Sequence, residues 1–187
     1  MTEAESSWAL ATLRVLYFFV PAYLANMAPV LVGKRLTALA VPLDLGSSLG
    51  GVRIFGDHKT WRGLIVGVAT GAVGFLLQRA LYDAEIGRVL ALFDYGTLPA
   101  LTGAWLGFGA ILGDAVKSFF KRRVGIAPGK PWIGPDEIDF YLGAAAVAAC
   151  LVPLPLVPLL VSIPVVIAGH LLSNVIAWAL GLKDVWI

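Results

Sequence analysis

Residues Phe140–Leu182 read FYLGAAAVAACLVPLPLVPLLVSIPVVIAGHLLSNVIAWALGL, 43 residues without a Lys, Arg, Asp or Glu. A bilayer-crossing helix needs about 20 apolar residues. The run is therefore long enough for two crossings, divided by the proline-rich PLPLVPLLVSIP of Pro153–Pro164. The rest of the chain agrees. Of its 187 residues 59% are hydrophobic and 14% charged, with a mean hydropathy of +0.85, where a soluble domain carries about 25% charged residues. The expected architecture is all-α, a polytopic membrane protein forming one domain over 1–187.

Five crossings are expected, near Leu10–Gly33, Gly63–Leu81, Leu98–Ser118, Phe140–Leu160 and Ile163–Leu182. The acidic start MTEAESSW lacks the cationic character of a cleaved signal peptide and reads as a short tail. Cations set the orientation. Lys34, Arg35, Arg53, Lys59 and Arg62 fall in the first loop. Lys117, Lys121, Arg122, Arg123 and Lys130 fall in the third, and Lys183 follows the last crossing. Only Arg14, Arg79 and Arg88 fall on the other side, a split of eleven against three. The positive-inside rule then places both basic loops and the C-terminus in the cytoplasm and the N-terminus outside.

A net charge of +2 is too small to indicate nucleic acid, and topology accounts for the cations. Cys150, the single cysteine, excludes an intramolecular disulfide and reads as a small packing residue of the fourth crossing. Gly63, Gly67 and Gly71, with Gly103 and Gly107, have the spacing of close helix–helix contacts. Asn26 lies between Pro21 and Pro29, a broken-helix context able to line a cavity. His170 and Asn174, four residues apart, read as an interhelical hydrogen-bonding pair.

The chemistry concentrates in two loops. Gly113–Asp139, GDAVKSFFKRRVGIAPGKPWIGPDEID, starts with Asp114, Lys117, Ser118, Lys121 and Arg122 on one helical face and ends with Asp136, Glu137 and Asp139. A carboxylate at a helix centre costs about 2.5–3.5 kcal/mol on the insertion scale, so an acid at the edge of an apolar run marks function. In Pro42–Gly63, PLDLGSSLGGVRIFGDHKTWRG, glycines let backbone amides approach a ligand, and Asp57, Lys59, Thr60 and Arg62 lead into the second crossing. Gly51 and Gly56 have P-loop spacing, but Asp57 and His58 stand before the lysine, so this is no P-loop. Asp44 reads equally as a turn former. Cations for phosphate oxygens beside carboxylates for Mg²⁺ suit a metal-bound polyphosphate.

On PAYLANMAPVL, PLDLG, RIFGDHKTWRG, GDAVKSFFKRR, the Asp136–Phe140 stretch and HLLSN, the chain resembles the archaeal CDP-archaeol synthases. These are membrane cytidylyltransferases related to the phosphatidate cytidylyltransferases. Ser118, Lys121 and Arg122 meet the wider superfamily's Ser-x-x-Lys-Arg, and Asp136 and Asp139 its Asp-x-x-Asp. Glu137 stands where the archaeal branch usually has Gln. The resemblance implies that CTP and an unsaturated ether-lipid phosphate give CDP-archaeol and pyrophosphate, with Mg²⁺ as cofactor. It implies Asp114, Lys59, Lys121 and Asp139 as catalytic, and Asp114, Asp136 and Asp139 as metal ligands, with the choice between the last two open. CTP would meet Asp57, Lys59, Thr60, Arg62, Lys117, Ser118, Lys121 and Arg122, and the lipid phosphate or its cavity Asn26 and Arg53. A transporter or structural membrane protein is the rival class, but no internal repeat supports it. The spaced aspartates of a CDP-alcohol phosphotransferase are missing.

Overall fold

The computed structural model describes residues 3–32, 36–128 and 130–181. Lys34, Arg35 and Lys183, three of the cations used for orientation, lie outside them, as does Gly33. The described chain is mostly helical, with α1 (Glu3–Phe18), α2 (Val20–Val32), α3 (Trp61–Asp83), α4 (Thr102–Arg123), α5 (Pro135–Ala149) and α6 (Leu156–Ala179). A small antiparallel hairpin, β1 (Ser48–Leu49) with β2 (Val52–Arg53), lies in the loop before α3. Gly50 and Gly51 make its two-residue turn with φ of 62° and 77°, a primed-turn backbone that glycine adopts without strain.

The first crossing is two helices rather than one. The long part of α1 and all of α2 meet at a 42° bend around Phe19. Pro21 follows directly; its nitrogen has no hydrogen for the carbonyl of Tyr17, and its ring crowds that turn. The α3 and α4 helices cover the second and third expected crossings. The fourth is corrected more strongly. It begins at Pro135, a residue suited to a first helical position, and ends at Ala149, with Pro153 and Pro155 forbidding continuation. Its 15 residues rise about 22 Å at 1.5 Å each, less than a hydrocarbon core of about 30 Å. Leu156–Leu160, assigned to the fourth crossing, belongs to α6. Cys150 is exposed just past the end of α5, so it is not a packing residue inside a span.

The α3 and α6 helices are long and apolar enough to cross a membrane alone, and the bent α1–α2 pair adds a third. Helix length and hydropathy alone therefore do not meet the expectation of five crossings, because α4 turns polar from Asp114 and α5 is short. On α6, Leu156, Leu160, Val161, Val165 and Leu172 point outward and are exposed, a face suited to hydrocarbon rather than water.

The α4 helix is the centre of the bundle, packed by α3 on one side and α5 on the other. Glycines set both spacings. A Cβ at Gly107 would lie 2.7 Å from the carbonyl oxygen of Gly67, and Gly71 and Gly103 abut in the same way. Those four pair as their spacing predicts, whereas Gly63 faces Thr60 and Pro29. A second glycine contact, unremarked in the sequence, joins Gly109 and Gly113 of α4 to Gly143 of α5; a Cβ at Gly109 would lie 2.7 Å from the Gly143 oxygen. Phe18, Phe19, Phe75, Tyr95 and Tyr141 fill the core, all essentially without exposure, with Phe75 packed directly against Gly103. Tyr141 and Ser162 share a 2.5 Å hydrogen bond that ties α5 to α6.

Candidate active site

The segment between α2 and α3 is folded by its own polar contacts. Asp44 is buried, and its carboxylate accepts from the amides of Gly46, Phe55 and Gly56 at 3.0–3.1 Å and from Arg53 Nη2 at 2.7 Å. Burial raises the Asp44 carboxyl, but the Arg53 guanidinium and the three amides outweigh it and hold the group well below the usual carboxylate range. One side chain thus gathers a dozen residues of irregular backbone. Arg123 of α4 ties the segment to the bundle: its guanidinium donates to the carbonyl of Arg53 at 3.0 Å while lying 3.7 Å above the Phe119 ring. Pairing of Pro42 with Thr60, and the 2.7 Å bond from the Leu43 amide to the Lys59 carbonyl, deliver the segment's end to α3. Thr60 is the N-cap of α3, its hydroxyl accepting from the Gly63 amide at 3.2 Å.

This construction presents Asp57–Arg62 to the polar face of α4 across a cavity of about 560 Å³. Its wall includes Asn26, Asp57, Lys59, Thr60, Arg62, Asp114, Lys117, Ser118, Lys121, Arg122, Asp136 and Asp139. Every site residue expected from the sequence lies there except one. Arg53 is absent from the wall; it pairs with Asp44 at 2.7 Å and with Asp57 at 2.9 Å, so its charge organises the segment instead. His58, Lys130, His170 and Asn174 also line the cavity and had been given no part in it, and Glu137, expected only as one of the closing carboxylates, lines it too. The ring of His170 stacks on Phe140 at 5.8 Å.

The charged groups interlock. Lys59 bonds Asp114. Lys117 Nζ lies 3.0 Å from Asp114, 2.8 Å from Asp136 and 2.6 Å from Asp139. Lys121 meets Asp136 at 2.8 Å. Three aspartates and three lysines therefore balance inside a partly desolvated pocket, where each charge needs a partner. Asp136 is steered further by the Trp132 amide at 2.6 Å. Glu137 is buried and reaches back to the Gly134 amide at 2.5 Å, closing the first turn of α5. A Glu or a Gln oxygen serves equally in that bond.

The three aspartates present hard oxygens of the kind Mg²⁺ takes, and they already surround one cation, the Lys117 ammonium. Among the described residues no three acidic, histidine or cysteine side chains stand close enough to hold a metal as they are. The residues thus fit a divalent ion in type, provided that the lysine gives way.

A second, apolar cavity of about 180 Å³ opens beside the first. The α6 helix packs on α1 and α5, and this groove lies between it and α2, walled by Met27, Leu31, Ile176 and Leu180. Asn26, Val30, His170 and Asn174 line both cavities. The polar chamber is thus joined to an apolar one at two side-chain amides and an imidazole.

Residues 9–187 match the CarS-like CDP-archaeol synthase family. A CDP-archaeol synthase of Methanocaldococcus jannaschii is 38% identical over 91% of this chain and 94% of its own, and one of Halobacterium salinarum 42% identical over 88% and 91%. A solved structure of an intramembrane enzyme for archaeal membrane lipids biosynthesis superposes with a TM-score of 0.67 at 33% identity, over 86% of this chain and 92% of the other. With matches of this extent, the chain belongs to the CDP-archaeol synthase family of membrane enzymes.

Proposed function

We propose that the enzyme condenses CTP with an unsaturated archaeal ether-lipid phosphate at the shared cavity, releasing pyrophosphate. An oxygen of the lipid phosphate attacks the α-phosphorus of CTP, and the bond from that phosphorus to the bridging oxygen of the β-phosphate breaks. The nucleophile is already ionised, so no side chain need abstract a proton. What is required is to hold two anions in line, which positioned cations achieve without reorganisation. Lys59, Lys117, Lys121, Arg62 and Arg122 are those cations, Thr60 and Ser118 add hydroxyl donors, and Asp57 closes the rim. Asp114, Asp136 and Asp139 would hold Mg²⁺, which when bound neutralises phosphate charge and orients the triphosphate. The observation that carries this reading is the convergence of Lys59, Lys117 and Lys121 with three aspartates on one cavity.

The lipid's polar head and apolar chains need different surroundings, and the adjoining cavities supply both. We place the phosphate near Asn26, His170 and Asn174 and the chains in the groove between α2 and α6, open to the inner leaflet. The test is purified protein with labelled CTP, Mg²⁺ and ether-lipid phosphates of long or short chains. CDP-lipid should form, and Ala177→Phe in the groove should slow turnover of long chains more than of short ones. No CDP-lipid would overturn the reaction; equal slowing would overturn the groove assignment.

For the membrane we retain five crossings, the α1–α2 pair, α3, α4, α5 and α6, with both basic segments cytoplasmic. The polar end of α4 is tolerable because its charged face turns to the cavity it shares with α5, while Trp105, Leu112, Val116 and Phe120 of α4 and Leu142 of α5 leave an exposed apolar side for lipid. A reporter fused after Ile187 should read cytoplasm and one inserted near Asp83–Asp94 the outside. Both on one side would refute the arrangement.

A further inference from the structure

The Lys117 ammonium sits where the three aspartates converge, within 3.0 Å of an oxygen of each. Its neighbours are less centred. Of the three aspartates, Lys59 pairs with Asp114 and Lys121 with Asp136 among the described residues. Asp139 depends on Lys117 most. Its side chain is 5% exposed, and its Oδ2, beyond the ion pair with Lys117, has no hydrogen-bond partner among the described residues. Mg²⁺ needs oxygens at about 2.0–2.1 Å around its own centre, which these three carboxylates cannot offer while an ammonium stands between them.

We propose that Lys117 is an exchangeable internal counterion: it holds the carboxylate cluster together without metal and is displaced toward the triphosphate when a divalent ion enters. The inference rests on the reading of Asp114, Asp136 and Asp139 as metal ligands. Metal arrival then does two things at once. The carboxylates keep a counterion throughout, and a lysine is freed on a flexible four-carbon stem for the phosphate oxygens. Because the lysine competes with the ion, the free enzyme binds metal weakly and resists cluster collapse in its absence. Like-charge repulsion among buried carboxylates is what the lysine suppresses.

The test needs no catalysis. Mn²⁺ binding is followed by loss of the free-ion paramagnetic resonance signal, and thermal unfolding is recorded in EDTA and in Mn²⁺, for full-length wild type, Lys117→Gln and Lys117→Arg in detergent. Lys117→Gln should bind Mn²⁺ about tenfold tighter or more, equivalent to about 1.4 kcal/mol. It should also unfold at lower temperature in EDTA and recover with Mn²⁺, whereas Lys117→Arg should stay near wild type. Equal Mn²⁺ affinity in wild type and Lys117→Gln overturns the exchange while leaving the ligands intact. No binding by either overturns the ligand assignment itself, and the exchange with it. Should Lys117→Gln fail to fold, acylation of Lys117 in wild type, followed by mass spectrometry, decides. Mn²⁺ should accelerate it, and an unchanged rate refutes the proposal.

Discussion

Asp114→Asn is expected to lower CDP-lipid formation by at least about 10²–10³-fold, the scale seen when one preorganised electrostatic group is lost. The substitution preserves shape and volume but removes the negative charge that meets both Lys59 and Lys117. These two lysines come from the segment before α3 and from α4, so Asp114 joins the two cation sets that would face a triphosphate in the proposed reaction. Without its charge the lysines repel each other, and a metal would lose one of its three carboxylates. Turnover of labelled CTP at saturating Mg²⁺, with gel-filtration behaviour as the folding control, measures the effect. Near-wild-type turnover in a well-folded variant would remove Asp114 from the site.

Asp114 was legible because its signal is local. A carboxylate ending an apolar run, with polar partners at helical spacing, needs only the 3.6-residue period. All five residues of that face do line the cavity. The convergence of Asp136 and Asp139 on Lys117 was not legible in detail, since it joins residues some twenty positions apart through an α4–α5 contact that no local pattern records. Asp44 escaped for the same reason: as a turn former it looked ordinary, and its importance lies in a guanidinium nine residues away and in amides eleven and twelve residues away. Arg53 was misplaced because proximity in sequence to the Asp57–Arg62 group says nothing of which way a guanidinium turns once Asp44 is buried beside it. The length of α5 was misjudged because hydropathy passes through Pro153 and Pro155 without a change, while backbone geometry does not.

Gly113→Ala should be among the most damaging small substitutions at the described residues. Gly113 precedes Asp114 on α4, and a methyl group there would run into the carbonyl oxygen of Asp139 and come within 3.0 Å of the Gly143 Cα. Both obstacles are backbone, so no side-chain rotation relieves the clash and α5 must move bodily away. Overpacking of this kind costs about 1–3 kcal/mol. The displacement falls on the joint that brings Asp139 and Asp136 to Lys117, and misplacement of about 1 Å is enough to lose about 10²-fold in rate. Turnover of Gly113→Ala should fall by that order, with a lowered unfolding temperature. Gly169→Ala supplies the contrast: it lies on α6 with nothing within 4 Å of a Cβ, and removing a helical glycine there should leave turnover unchanged and stability equal or higher by up to about 1 kcal/mol. If Gly113→Ala matched Gly169→Ala in both turnover and unfolding temperature, the α4–α5 glycine contact would not be what sets the spacing of the aspartates, and the geometry of the charged cluster would have to be fixed by the lysines alone.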